Sequence, residues 1–242
     1  MSSNLRAYYE DHYAKFDRPD VSWEIRIKLA SSYISRFVEA RDPVLVELGC
    51  GTGAGLTRIK ASLPDRSFRL LGTDISEHAV DAARAAGIQA YQVDLNTDRL
   101  PFESDSVDVL MFLEVIEHLY DSDRPMHEIR RVLKPGGLLV ISTPNLASWA
   151  NRLAILMGYQ PFSHDVSMIR GFGRARVLQV NGHLKSFTRR ALLEYVQYFR
   201  LEVVEEGVTP AGGVAGAVSA VDGLLSRFPA LASHTVLACV KH

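Results

Sequence analysis

The stretch MFLEVIEHLYD, residues 111–121, places three ionisable side chains at the end of an apolar run. Glu114, Glu117 and His118 are spaced i, i+3 and i+4, which puts them on one face if the segment is helical. Charged groups beside an apolar strand end cost free energy unless a partner satisfies them. The spacing therefore predicts a site for a cation, for proton transfer or for the polar groups of a substrate.

The elements that position this turn are short apolar runs that alternate with segments of helical periodicity. Helices are predicted at residues 22–40, 54–62, 77–86 and 189–199, and strands at residues 44–48, 69–74, 88–93, 107–112, 138–143, 201–206 and 235–240. Ser76 and Thr188 are predicted to cap the helices that follow them. This alternation predicts an α/β fold with a doubly wound, mostly parallel seven-stranded sheet and an antiparallel edge strand.

Composition and charge restrict the classes of function. The 242 residues are 47% hydrophobic and 23% charged, which is typical of a single soluble globular domain over residues 1–242. A formal net charge of −1 provides no overall attraction to nucleic acid, and no apolar run is long enough for stable insertion into a membrane. The N-terminus lacks the apolar core of a signal peptide, so the expected location is cytoplasmic.

Three segments lie outside the bare alternation of strands and helices. Residues 1–40 are interpreted as an N-terminal helical lid, residues 145–187 as a substrate-side insertion, and residues 207–234 as an insertion between the last two strands. The substrate-side insertion is basic, with Arg152, Arg170, Arg174, Arg176 and Lys185 against the single acid Asp165. A solvated basic face and an anion site are both compatible with this charge.

A glycine-rich turn, GCGTGAG, follows the first predicted strand and begins a helix. Its glycines let a ligand approach the main chain at a helix N-terminus, as in dinucleotide-binding proteins. Glu47, at the carboxyl end of the strand, would repel a pyrophosphate and favours an ammonium or sulfonium group. Asp74, interpreted as a surface acid at the end of the second strand, can accept hydrogen bonds from ribose hydroxyls, and Asp94 from an adenine amino group.

The motifs VLVELGCGTG, GTDIS, YQVDLN, DVLMFLEVIEHL and VLKPGGLLVISTPN occur in an order that resembles class I S-adenosylmethionine-dependent methyltransferases. The resemblance covers about residues 40–145 and implies methyl transfer from S-adenosylmethionine. The implied cofactor contacts are Glu47, Gly49, Gly51 and Gly53 at the methionine end, Asp74 at the ribose, and Ile75, Asp94 and Leu95 at the adenine. Tyr13, in the tyrosine-rich N-terminus, is predicted to cover the cofactor.

The E-x-x-E-H pattern resembles the turn of ubiquinone-pathway catechol O-methyltransferases and of small-RNA 3′-end 2′-O-methyltransferases, which are known to ligate metal there. In the second group a later segment supplies another histidine, and GHLKSFTRR places His183 in a similar frame. The resemblance implies a divalent metal such as Mg²⁺ held by Glu114, Glu117, His118 and His183. The residues also allow catalysis without metal, with His118 as general base and Glu114 ordering the substrate.

The expected acceptor is a hydroxyl of a small molecule, a sugar, or a glycan or lipid intermediate. A chelating cation favours a vicinal diol, and the basic insertion favours an anionic group on the acceptor. Nucleic acid is not the expected partner, although RNA 3′ ends and carboxylates are alternative acceptors. A nicotinamide-dependent oxidoreductase and a non-catalytic S-adenosylmethionine-binding protein are the competing classes of function.

Overall fold

A computed structural model describes residues 21–174, 180–211 and 217–242. Most of these residues belong to one seven-stranded sheet and the helices that cover it. Tyr13 and the first half of the predicted lid lie outside the described residues. Arg176 of the substrate-side insertion lies outside them as well.

The sheet has the strand order β3-β2-β1-β4-β5-β7-β6. The strands are β1 (Val44–Leu48), β2 (Arg69–Asp74), β3 (Gln89–Gln92), β4 (Val107–Leu113), β5 (Leu133–Pro144), β6 (Leu201–Thr209) and β7 (His234–Lys241). Strand β7 runs antiparallel to both of its neighbours, β5 and β6, whereas the other pairs are parallel. The predicted fold class is therefore confirmed, with the antiparallel strand inserted one place in from the edge.

Seven helices and one short 3₁₀ turn complete the described part of the chain. The helices are α1 (Val21–Phe37), α2 (Ala54–Ser62), α3 (Glu77–Ala85), α4 (Asp123–Val132), α5 (Trp149–Leu156), α6 (Arg189–Tyr198) and α7 (Ala217–Leu225), and the 3₁₀ turn is Ile116–His118. The side chains of Ser76 and Thr188 accept hydrogen bonds from main-chain N–H groups of the first turns of α3 and α6, so both predicted caps are confirmed.

Two hydrophobic clusters hold the helices against the sheet, one on each face. Ile27 of α1, Leu56 of α2 and Val80 of α3 belong to one cluster, and Ile129 of α4 and Leu192 of α6 belong to the other. Successive residues of a strand point to opposite faces, so every strand except β6 contributes to both clusters. This arrangement is the doubly wound sheet expected from near-continuous apolar strands.

The connections leave β1 in one direction and β4 in the other, so the strand order reverses between these two strands. In open α/β sheets, ligands bind in the crevice at the carboxyl ends of the strands at this point. The glycine turn follows β1 and the Glu114 turn follows β4. The topology therefore brings the two motifs to the same crevice.

Candidate active site

The glycine turn between β1 and α2 is tied to the end of β2. Gly49, Gly51 and Gly53 have φ angles of 69°, 52° and 84°, in the left-handed region that glycine adopts readily. The N–H groups of Gly49 and Cys50 both donate to the carbonyl of Thr73, at 2.7 and 2.9 Å. A Cβ atom at Gly49 would lie 2.5 Å from a methyl carbon of Val115. The turn therefore packs directly against the segment that contains Glu114 and Glu117.

Asp74 ends β2 beneath this turn. Its Oδ2 accepts a hydrogen bond from the N–H of Gly51 at 2.9 Å, and its Oδ1 accepts one from the N–H of Ser76 at 3.0 Å. The residue is only 4% exposed, so its interpretation as a surface acid is wrong. The N–H groups of Gly51 and Ser76 both need an acceptor, and the carboxylate turns inward to provide it. Its contact with the ribose stays a prediction.

Glu47 is buried below the first turn of α2. A Cβ atom at Gly55 would lie 2.5 Å from Oε1 of Glu47, so this glycine, which sequence reasoning missed, makes room for the carboxylate. Among the described residues, Oε2 of Glu47 has no hydrogen-bond partner. Burial raises the pKa of Glu47 to about 8. A buried oxygen without a partner, beside an open glycine turn, fits a ligand that carries a cationic group.

The raised pKa of Glu47 predicts a pH dependence of stability. Because the folded-state pKa lies above the unfolded one, the folded protein binds more protons, and its free energy of unfolding falls as the pH rises from about 4 to about 8. Glu47→Gln should remove this dependence, which we expect to reach a few kcal/mol. Urea unfolding of both proteins at about pH 5 and pH 8 measures the difference. Parallel pH profiles would contradict the prediction.

The predicted adenine contacts surround the end of β3. Asp94 is buried, and its Oδ1 accepts hydrogen bonds from the main-chain N–H and the side-chain amide of Asn96, both at 3.0 Å. Asn96 in turn accepts from the N–H of Tyr120 at 3.0 Å, which links this loop to the turn after β4. Leu95 packs its side chain in the hydrophobic core, and Ile75 is half-buried beside Asp74. Sequence reasoning did not anticipate the linking role of Asn96.

The turn after β4 is not the continuous helical face that the spacing predicts. Glu114 has a φ angle of 57°, and only Ile116–His118 forms a 3₁₀ turn. The left-handed residue redirects the chain, so Glu114 and Glu117 have different surroundings. A non-glycine residue in this backbone conformation is strained and requires support from its neighbours.

Glu114 receives that support from three side chains. Its Oε1 accepts a hydrogen bond from the hydroxyl of Ser142 at 2.7 Å. Its Oε2 lies 3.4 Å from Nε2 of His234 and 3.9 Å from Nη1 of Arg26. Burial alone would raise the pKa of Glu114, but Arg26 and His234 hold it below its ordinary value. Glu114 is thus a carboxylate at neutral pH, and neither Arg26 nor His234 was identified from the sequence.

Glu117, His118 and His183 form a separate cluster whose potential ligand atoms all lie within 4.8 Å of one another. Nε2 of His118 is 3.9 Å from Oε1 of Glu117, and the two imidazole rings have centroids 5.0 Å apart. The structure thus brings together three of the four predicted metal ligands. Glu114 is not a member of this cluster, because it faces Arg26 and His234 instead.

The surroundings of the cluster orient the two histidines. Nδ1 of His118 lies 3.1 Å from the carbonyl of Gly182, and Nδ1 of His183 lies 3.3 Å from the carbonyl of Ser163. A carbonyl only accepts, so in both rings Nδ1 must carry the proton and Nε2 is left as the basic nitrogen. Burial lowers the pKa of His183, which favours the neutral imidazole that a metal requires.

The Glu117 carboxyl group is the third member of the cluster and is 1% exposed. Its Oε2 accepts a hydrogen bond from Thr143 at 3.1 Å, whereas Oε1 has no hydrogen-bond partner among the described residues. Burial, reinforced by the neighbouring Glu114, raises the pKa of Glu117 well above its ordinary value. Oε1 of Glu117 therefore needs either a bound cation or a proton as its partner.

The substrate-side insertion brings His183 to the cluster. Arg174 forms a buried ion pair with Asp165, with 2.6 Å between Nη2 and Oδ1. Oδ2 of Asp165 accepts hydrogen bonds from the N–H groups of Asn181 and His183, at 3.0 and 3.1 Å. Arg174 is thus a structural residue. Arg152, which donates to the carbonyl of Ala147 at 2.6 Å, also serves the fold of this segment. The predicted anion site therefore cannot include the buried Arg174.

A cavity of about 770 Å³ opens beside these groups. Glu114, Glu117, His118, His183 and His234 belong to its lining. Side chains of α5 and α7 line it as well, and the lining as a whole is predominantly apolar. A cavity of this size, apolar with a few convergent polar groups, is typical of a small-molecule site.

Known proteins are similar to the part of this chain that contains the glycine turn and the strand-end acids. Residues 46–141 match a family model described as a methyltransferase domain. Over these residues the chain is similar to class I S-adenosylmethionine-dependent methyltransferases. The matched residues contain the glycine turn, both strand-end aspartates and the Glu114 turn. His183 and His234 lie outside the matched residues.

Two curated relatives illustrate the range of the similarity. A "probable S-adenosylmethionine-dependent methyltransferase" of Mycolicibacterium smegmatis is 36% identical over 126 residues, which cover 51% of this chain and 46% of the relative. A ubiquinone biosynthesis O-methyltransferase of Colwellia psychrerythraea is 25% identical over 183 residues, which cover 64% of this chain and 72% of the relative. The chain spans less than half the length of the curated relatives that it matches at 34–37% identity.

A solved structure shows how far the fold is shared. The cyclase SpnF superimposes with a TM-score of 0.63 at 19% identity, covering 100% of this chain and 97% of that protein. A likeness at this identity establishes the fold and leaves the reaction to the site. Within the described residues, no helix combines the length and apolar character needed to cross a membrane.

Proposed function

We propose that this protein transfers the methyl group of S-adenosylmethionine to a hydroxyl oxygen of a small acceptor. The observation that carries the proposal is the contact between Gly49 and Val115, which joins the glycine turn to the turn that contains Glu117 and His118. A cofactor on the glycine turn would therefore present its methyl group next to the cluster. The ubiquinone O-methyltransferase relatives support oxygen as the accepting atom.

The cofactor would be held by groups from three strand ends. Glu47, with its unpartnered Oε2, suits the ammonium of the methionine portion, and the glycines permit close approach of the main chain. Asp74 would hold the ribose and Asp94 the adenine, and their positions at the end of β2 and just after β3 support these roles. S-adenosylmethionine supplies an activated methyl group, so the protein chiefly aligns the acceptor and removes its proton.

The cluster of Glu117, His118 and His183 would remove the proton of the acceptor hydroxyl. Nε2 of His118 is the basic nitrogen because Nδ1 donates to Gly182. The three residues also fit a divalent cation, since Oε1 of Glu117 is buried without a partner and both imidazoles direct Nδ1 to a carbonyl. A bound cation would lower the pKa of an acceptor hydroxyl and favour a vicinal diol.

A screen of acceptors for formation of S-adenosylhomocysteine, with and without Mg²⁺ or Mn²⁺, tests the proposal. Catechols and sugar diols should give turnover, whereas RNA 3′ ends and carboxylic acids should not. Calorimetric titration with S-adenosylmethionine and with NAD provides the control for cofactor class. Binding of NAD alone would indicate an oxidoreductase. Binding of S-adenosylmethionine without turnover on any acceptor would indicate a non-catalytic protein.

A further inference from the structure

Two chemically distinct groups of side chains line the cavity. Apolar side chains line it from α5 and the residue that follows α5 (Trp149, Leu153 and Met157), from Phe162 and from Val218 of α7. The glutamates and histidines of the candidate active site, which come from other segments, also line it. A molecule that fills the cavity must therefore combine an apolar body with a polar, reactive end.

Two polar side chains of α5 and α7 that line the cavity, Asn151 and Asp222, already have hydrogen-bond partners within the protein. Asp222 accepts hydrogen bonds from Nε1 of Trp149 at 2.7 Å, from the N–H of Ala211 at 2.6 Å and from the hydroxyl of Ser233 at 3.0 Å. Asn151 donates to Ser163 at 2.7 Å and accepts from the N–H of Phe162 at 2.8 Å. Both residues are buried, so they present little hydrogen-bonding capacity to a ligand.

The mouth of the cavity exposes large apolar side chains. Leu153, Met157 and Val218 line the cavity and are 44%, 57% and 50% exposed. Concave apolar surface that remains open to water is the usual mark of a ligand site. The Trp149–Asp222 hydrogen bond joins α5 to α7, and both residues line the cavity.

We infer that the acceptor is amphipathic: an alkyl, prenyl or aryl body lies between α5 and α7, and its hydroxyl group reaches Glu117, His118 and His183. This inference rests on the proposed function and specifies the class of its substrate. The body binds by burial of apolar surface, because the polar groups around it are already satisfied within the protein. Polarity at the reactive end fixes the orientation of the acceptor.

Binding of catechol and its para-methyl, para-butyl and para-octyl derivatives tests the inference. Affinity should rise with chain length by about fourfold per buried methylene until the cavity is filled. The chain has two tryptophans, so a Trp23→Phe variant leaves Trp149 as the reporter. Its fluorescence should shift with the alkyl derivatives. Equal affinity for all four compounds would overturn the inference.

Leu153→Asn and Leu156→Asn form a matched pair on α5. Leu153 lines the cavity, whereas Leu156 is 83% exposed and does not line it. The first variant should weaken para-octylcatechol binding about tenfold and leave catechol binding unchanged, and the second should change neither. Equal loss in both variants would point to docking on the outer surface and would overturn the inference.

Turnover separates this inference from the proposed function. Chain-length-dependent binding without S-adenosylhomocysteine formation would leave the apolar ligand site standing and remove the proposed reaction. Turnover of catechol with no gain in affinity from added methylenes would preserve the proposed reaction and overturn the amphipathic acceptor.

Discussion

Replacing His118 or His183 by alanine is expected to lower methyl transfer at least about 100-fold, because each removes a basic nitrogen from the cluster with Glu117. The affinity for S-adenosylmethionine should stay nearly unchanged, since the cofactor would be held by the glycine turn and the strand-end acids. Dialysis against EDTA should reproduce the loss if the cluster holds a cation. Turnover measurements and calorimetry on each variant separate these effects.

His164→Ala provides a matched control within the substrate-side insertion. His164 is half-buried and contacts Ser186, with 3.0 Å between Nδ1 and Oγ, but it belongs to neither the cluster nor the cavity lining. Its loss should leave both turnover and metal affinity intact. Titration of the wild type and the variants with Mn²⁺ gives a readout that does not depend on the acceptor.

A shared cation and a lone general base at His118 predict different results for His183→Ala. A shared cation requires both histidines and Glu117. If His118 acts alone, His183→Ala should have little effect, chelator should have none, and the rate should rise with pH through the titration of an imidazole. Full activity of a protein that elemental analysis shows to be free of metal would rule out the shared cation.

Asp74→Ala is expected to weaken S-adenosylmethionine binding by about 10- to 100-fold and to destabilise the fold by about 1.5–3 kcal/mol. The affinity falls because charge-assisted hydrogen bonds to the ribose are lost. Stability falls because the N–H groups of Gly51 and Ser76 lose their common acceptor. Calorimetry measures the first effect, and urea unfolding without ligand measures the second.

Asp108→Ala is the matched control at the opposite end of the sheet. Asp108 accepts a hydrogen bond from the N–H of Val44 at 2.9 Å and pairs with Lys134 at 2.7 Å. Its loss should reduce stability without affecting cofactor affinity. If Asp74→Ala behaved in the same way, Asp74 would be a structural residue and the predicted ribose contact would be wrong.

The local order of the fold was readable in the sequence. Strand β2 has the bounds that its apolar pattern predicts, residues 69–74, and Ser76 and Thr188 cap the helices they were expected to cap. Such features depend on residues close together in the chain, so periodicity and capping chemistry reveal them. The glycine turn and the strand-end acids were also found, because their spacing follows from the strand and helix that flank them.

Only the tertiary structure decided how the polar groups are partnered. The left-handed conformation of Glu114 separates it from Glu117, and its partners Arg26 and His234 come from α1 and β7. Asp74 turned out to be buried because the glycine turn offers it an N–H group. The cavity likewise depends on α5 and α7, which are far apart in the chain. These contacts join distant segments, and neither hydrophobic periodicity nor motif spacing encodes which distant partner a charged side chain meets.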